Sequence, residues 1–168
     1  MGIESDFLNF SAAKLEECLT RIEACVGKLT PEQIWQRATE NENAIGNLML
    51  HLSGNVRQWI LSGVGGQPEV RDRDAEFAAR GLISPAELKD RLRKTIEETT
   101  AVIRALPPER LSDPHSKQGY ESTVLTAIYH VVEHFVGHTF QIIFITKLLT
   151  SEDLGFYAHL NPKRRAGA

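Results

Sequence analysis

Apolar residues return every three or four positions through four long stretches of the chain, the period of a helix that buries one face. From about residue 5 to 26 the stripe is Phe7, Leu8, Phe10, Leu15, Leu19, Ile22 and Val26, with Gly27 as a stop signal. A second stretch, about 44–62, carries Ile45, Leu48, Met49, Leu52, Val56, Trp59 and Ile60 and ends at Gly63. The third, about 85–106, opens on Ser84, Pro85 and Glu87, which read as a capping box, and closes at Pro107 and Pro108. The fourth runs from about 122 to 149. Between the first two, Thr30, Pro31 and Gln33 predict one short capped helical turn before the polar "TENEN". No segment shows the alternation expected of a strand, and no repeat is visible. The fold class is all-α.

The link between the second and third helices, Gly63 to Ile83, is long enough to cross a bundle from end to end, so those two helices can run parallel. Its "GVGGQP" follows a helix where a phosphate loop needs a strand, so it is not one. The 168 residues suit one domain, 1–168, with a tail from 150, and the 42% hydrophobic content supports a core without staples. A metal in such a chain serves function rather than folding. The net charge of −3 provides no field for nucleic acid or acidic lipid, and the basic "PKRR" at 162–165 reads as a solvated tail. Cys18 and Cys25 sit seven apart on one helix, about 10 Å by helical rise, beyond disulfide reach. The N-terminus lacks a basic and an apolar leader region, and no apolar run is long enough to span a bilayer, so a cytoplasmic location is expected.

Three of the six histidines, His130, His134 and His138, fall four apart on the fourth helix. Residues four apart lie about 6 Å apart along a helix and about 40° around it, so their imidazoles can share an ion. His130 and His138 are about 12 Å apart along the axis, too far for bonds of about 2 Å to one ion. An ion therefore takes His134 with either His130 or His138. A third ligand must come from His51, His115 or His159. His51 lies mid-helix beside the apolar stripe, with Asn47 and Asn55 four residues before and after it, which suggests a polar slot in the bundle. Three neutral histidines suit Zn²⁺, Ni²⁺ or Fe²⁺ and leave positions for water or a substrate thiol.

Two related patterns fit less well. His130, Glu133 and His134 spell HxxEH, the inverted zinc-protease motif, but the further ligand of that family has no counterpart in so short a chain. A ferritin-like site needs Glu-x-x-His on two helices, and that spacing does not occur. The cysteines sit on an amphipathic helix without a positioned histidine and read as inert.

"NAIGNLMLHLSGNVRQWI", "RDRDAEF" and "HVVEHFVGHTFQI" resemble the DinB/YfiT-like superfamily of bacterial metal-binding four-helix bundles, and the resemblance covers nearly the whole chain. It implies an up-down-down-up bundle, often a homodimer, with His51, His134 and His138 as ligands, followed by Gln141. His130 then stands one turn from the site. Phe140, where relatives commonly have glycine, is expected to narrow the space beside His138. Characterised relatives include thiol-dependent isomerases and transferases in which the metal acts on a low-molecular-weight thiol. The resemblance thus implies a metalloenzyme acting on a small molecule by thiol transfer or hydrolysis, with Glu133 and His130 as possible helpers. Arg57, Arg71 and Arg73 could bind a carboxylate at the pocket mouth, with surface salt bridges as the plainer reading. The other function class is a non-catalytic stress-response or binding protein on the same bundle.

Overall fold

The computed structural model describes residues 2–160, so "PKRR" lies outside the described residues. Four long helices form the bundle: α1 (Ile3–Val26), α3 (Ile45–Val56, continued by a π-helical turn, Arg57–Ser62), α5 (Pro85–Ala105) and α6 (Val124–Thr150). Helix α1 packs against α5 and α6, and α3 packs against the same two helices, so α1 and α3 stand on one diagonal. The order is up-down-down-up with a crossover between α3 and α5. Leu15, Ile22, Leu52, Ile60, Leu92, Ile96, Ile128 and Phe135 are completely or almost completely buried along the axis. Each such side chain contributes about 1.5–3 kcal/mol through removal from water.

The capping signals hold in detail. Thr30 accepts from the Gln33 amide while the Gln33 side chain accepts from the Thr30 amide, which nucleates α2 (Pro31–Ile34). Ser84 accepts from the Glu87 amide, half of the reciprocal box expected there. The indole of Trp35, just past α2, donates to the Ile83 carbonyl at 3.1 Å and leaves Gly46 no room for a Cβ. This contact ties the end of the crossover to the start of α3.

Two segments differ from the sequence expectation. Residues 114–123 form a hairpin, β1 (Pro114–Lys117) antiparallel to β2 (Tyr120–Thr123), so α6 begins at Val124 rather than 122. Gln118 and Gly119 both take positive φ, 54° and 79°, the conformation that a two-residue turn needs to match strand twist. Four-residue strands are too short to display an alternating pattern. The crossover, expected as loop, contains α4 (Arg73–Ala78), with Asp72 accepting from the Ala75 amide as its N-cap. No helix among the described residues is long and apolar enough to cross a membrane.

Candidate metal centre

Helices α3 and α6 bring His51, His134 and His138 together, with their ligand nitrogens all within 4.8 Å of one another. His51 is buried, and the other two are partly buried. The Nε2 of His134 is 3.1 Å from Nε2 of His51 and 3.2 Å from Nε2 of His138. A neutral ring nitrogen carries one proton or one lone pair, so the His134 Nε2 cannot make two good hydrogen bonds here. A single cation taking all three lone pairs removes the conflict. Tetrahedral nitrogens at about 2.0–2.1 Å from Zn²⁺ stand about 3.3 Å apart, close to the two spacings observed. The donor set and its geometry therefore fit a divalent ion.

The outer nitrogens are oriented to present those lone pairs. His51 Nδ1 lies 3.0 Å from Oε2 of Glu76, and a carboxylate only accepts, so Nδ1 carries the proton and Nε2 the lone pair. His138 Nδ1 lies 2.7 Å from Oε1 of Gln141, which acts the same way one turn on. Among the described residues His134 Nδ1 is buried without a partner. Burial, reinforced by the neighbouring histidines and Arg71, pushes His134 down to about 3. Burial also lowers His138, against the opposing effect of the Gln141 contact. Both rings are therefore neutral, as ligands must be, through the physiological range.

Glu76 is the residue that the sequence did not single out. Burial disfavours its charge, but hydrogen bonds from Arg71 and His51 outweigh that and hold its carboxyl below the usual range. Arg71 donates through Nε to Oε1 and through Nη2 to Oε2, both at 2.8 Å, a two-pronged pairing with fixed orientation. Arg71 Nη2 is also 3.1 Å from His51 Nδ1, but both are donors, and Glu76 is the acceptor between them. Gly54 makes the arrangement possible: a Cβ there would lie 1.8 Å from Oε1 of Glu76. Asn47 fastens α4 from below, donating to the carbonyls of Glu76 at 2.9 Å and Ala79 at 3.1 Å.

The other singled-out residues take separate places. The His130 ring is 5.8 Å from that of His134 and 4.6 Å from Trp59, outside the three-nitrogen cluster. Glu133 is exposed. Asn55 is buried, and its Oδ1 has no partner among the described residues, so the expected slot is built by Asn47 alone. Arg73 lies over the Phe77 ring, which itself packs 4.8 Å from His51. Arg57 contacts Gln67 and Glu98 away from the histidines. His115 is buried in β1 and His159 is exposed near the C-terminus. Phe140 is half exposed and lines a cleft against the C-terminal segment, rather than crowding His138 as expected.

A conserved protein from Enterococcus faecalis has the same fold, with a TM-score of 0.75 at 14% identity over 90% of this chain and 99% of its own. A DinB-like protein from Bacillus cereus matches with a TM-score of 0.64 at 16% identity, over 79% of this chain and 85% of its own. No curated protein matches the chain in sequence. The bundle is thus the DinB/YfiT-like fold, and the model of a protein family of unknown function, DUF1572, matches residues 2–159. The chain belongs to that family.

Proposed function

We propose that this protein is a metal-dependent enzyme acting on a small molecule, with His51, His134 and His138 holding Zn²⁺ or, alternatively, Ni²⁺ or Fe²⁺. The observation that carries the reading is the convergence of three Nε2 atoms while Nδ1 of His51 and His138 face oxygen atoms. An ion held by three nitrogens supplies Lewis acidity that lowers the pKa of a thiol or a water at its remaining positions. The chain's own contribution is orientation and charge. Glu76, kept ionised by Arg71, fixes the His51 ring and adds negative charge beyond it, while burial keeps His134 and His138 unprotonated. His130, with its ring 5.8 Å from that of His134, and the exposed Glu133 one residue before it are the candidate helpers.

Thiol transfer is the preferred reaction, with metal-assisted hydrolysis next. Full-length protein loaded with Co²⁺ is titrated with bacillithiol, mycothiol and glutathione. A sulfur-to-cobalt charge-transfer band with one of them, and turnover with an electrophilic cosubstrate, is the expected result. Hydrolysis of an ester or amide panel without any such band would replace thiol transfer by hydrolysis. A second reading, a non-catalytic binding protein, is favoured by exposed Phe10 on α1 and Tyr129, Phe144 and Leu148 on α6. The same residues support a homodimer, which sedimentation checks. Absence of turnover with all substrates would favour this second reading.

A further inference from the structure

Arg71 and Glu76 also contribute to the wall of a separate cleft of about 630 Å³ between α3, α5 and the crossover. His51, His134 and His138 do not line it. The volume lies in the range of small-molecule sites. Apolar surface comes from Leu50 on α3 and from Ala79 and Ile83 on the returning crossover. Trp35, bonded to the Ile83 carbonyl, holds that wall in place.

The charges divide into satisfied and unsatisfied groups. Arg71 is committed to Glu76, and Arg57 stands 3.7 Å from Glu98. Asp72 is engaged as the cap of α4. Two cations on the α5 side, Arg91 and Lys94, are exposed, and among the described residues neither side chain has an ion-pair or hydrogen-bond partner. Arg93 and Arg104 of the same helix are paired, the first with Glu23 and Asp90 and the second with Glu16, and Lys89 does not line the cleft. Arg91 and Lys94 are three residues apart and so lie on one face. Counting all lining charges, four cations oppose three carboxylates, a surplus of one positive charge.

We propose that this cleft is a second small-molecule site, distinct from the histidine cluster, which takes a monoanionic organic acid with an apolar body. The carboxylate meets Arg91 and Lys94 at the α5 side, and the hydrocarbon lies against Leu50, Ala79 and Ile83. A single negative charge matches the surplus, and the apolar wall selects against small hydrated anions such as inorganic phosphate. Because Arg71 is already held by Glu76, the acid binds without disturbing the support of His51.

Amide NMR of the full chain titrated with hexanoate tests this site, with hexanol and inorganic phosphate as comparators. Saturable shifts are expected at residues 50–54, 79–83 and 91–95, with affinity falling about tenfold or more in the Arg91→Ala/Lys94→Ala double variant, as loss of about 1.4 kcal/mol requires. Both substituted side chains are exposed, so the variant should fold, and its zinc affinity should equal that of the parent. Hexanol and phosphate should each bind more weakly than hexanoate. The proposal is overturned if hexanoate produces no saturable shifts, if the double variant binds it equally well, if phosphate binds as tightly, or if the shifts centre on residues 134–138.

Discussion

Two groups of aromatic nitrogens meet on α6 one turn apart, and they differ in what their atoms face. In the first, His51, His134 and His138 point Nε2 atoms at one another, and two outer nitrogens face oxygen atoms. In the second, His130 packs against Trp59, which stacks on His115 with ring planes 18° apart at 5.5 Å. Both nitrogens of His115 and the Trp59 indole nitrogen are buried without partners among the described residues. The first group converges donors on a point, whereas the second layers ring faces. Equal spacing along α6 therefore carries two outcomes, decided by what α3 presents opposite: a histidine at 51, or a tryptophan in the π-helical turn that ends the helix.

The largest effects should fall on the first group. Replacing His51, His134 or His138 with alanine should reduce zinc affinity by more than about 100-fold, the upper end of what outer-sphere changes cost, while His130→Ala should leave it nearly unchanged. Competition titration with a chromophoric chelator measures the difference. Next comes the support. Glu76→Gln should lower zinc affinity about 10–100-fold in the same titration. Gly54→Ala should do likewise by expelling the Glu76 carboxylate, and overpacking should also cost about 1–3 kcal/mol in denaturant unfolding.

Acid should act on the first group through its lowered pKa values. Above the ordinary histidine value His134 is neutral in both folded and unfolded chains. Below it the unfolded chain takes up a proton that the folded chain resists until about 3, so stability of the metal-free protein falls as pH drops through that window. His138 and Glu76, also lowered, act in the same direction, Glu76 at the acid end. Thermal unfolding of the metal-free parent and of His134→Phe from about pH 7, just above the ordinary histidine pKa, down to about pH 4 should show a shallower decline in the variant. The smallest effect is expected at His115. Its burial lowers its pKa too, and His115→Leu removes two unpaired buried nitrogens while keeping volume, so stability should change by less than about 1 kcal/mol and zinc affinity not at all.

The long helices were legible because each carries an apolar stripe over several turns, and the Thr30 box because its residues are local. The hairpin was not legible, since its strands have four residues and Gln118 enters the turn where asparagine or glycine is the usual signal. At the metal centre the sequence narrowed the α6 ligands to two alternatives, and the resemblance favoured the pair that the structure brings together. Glu76 stayed hidden because α4 has six residues and no stripe of its own. Its significance depends on Gly54, twenty-two positions earlier, leaving room for the carboxylate, a relation created by packing rather than by spacing.

The most direct measurement is the metal content of the chain purified without a histidine tag, determined by elemental analysis for the parent, His138→Ala and His130→Ala. One divalent ion per chain is expected in the parent and in His130→Ala, and its loss from His138→Ala. Retention in His138→Ala with loss from His130→Ala, or a parent that neither carries nor takes up an ion, would contradict this expectation.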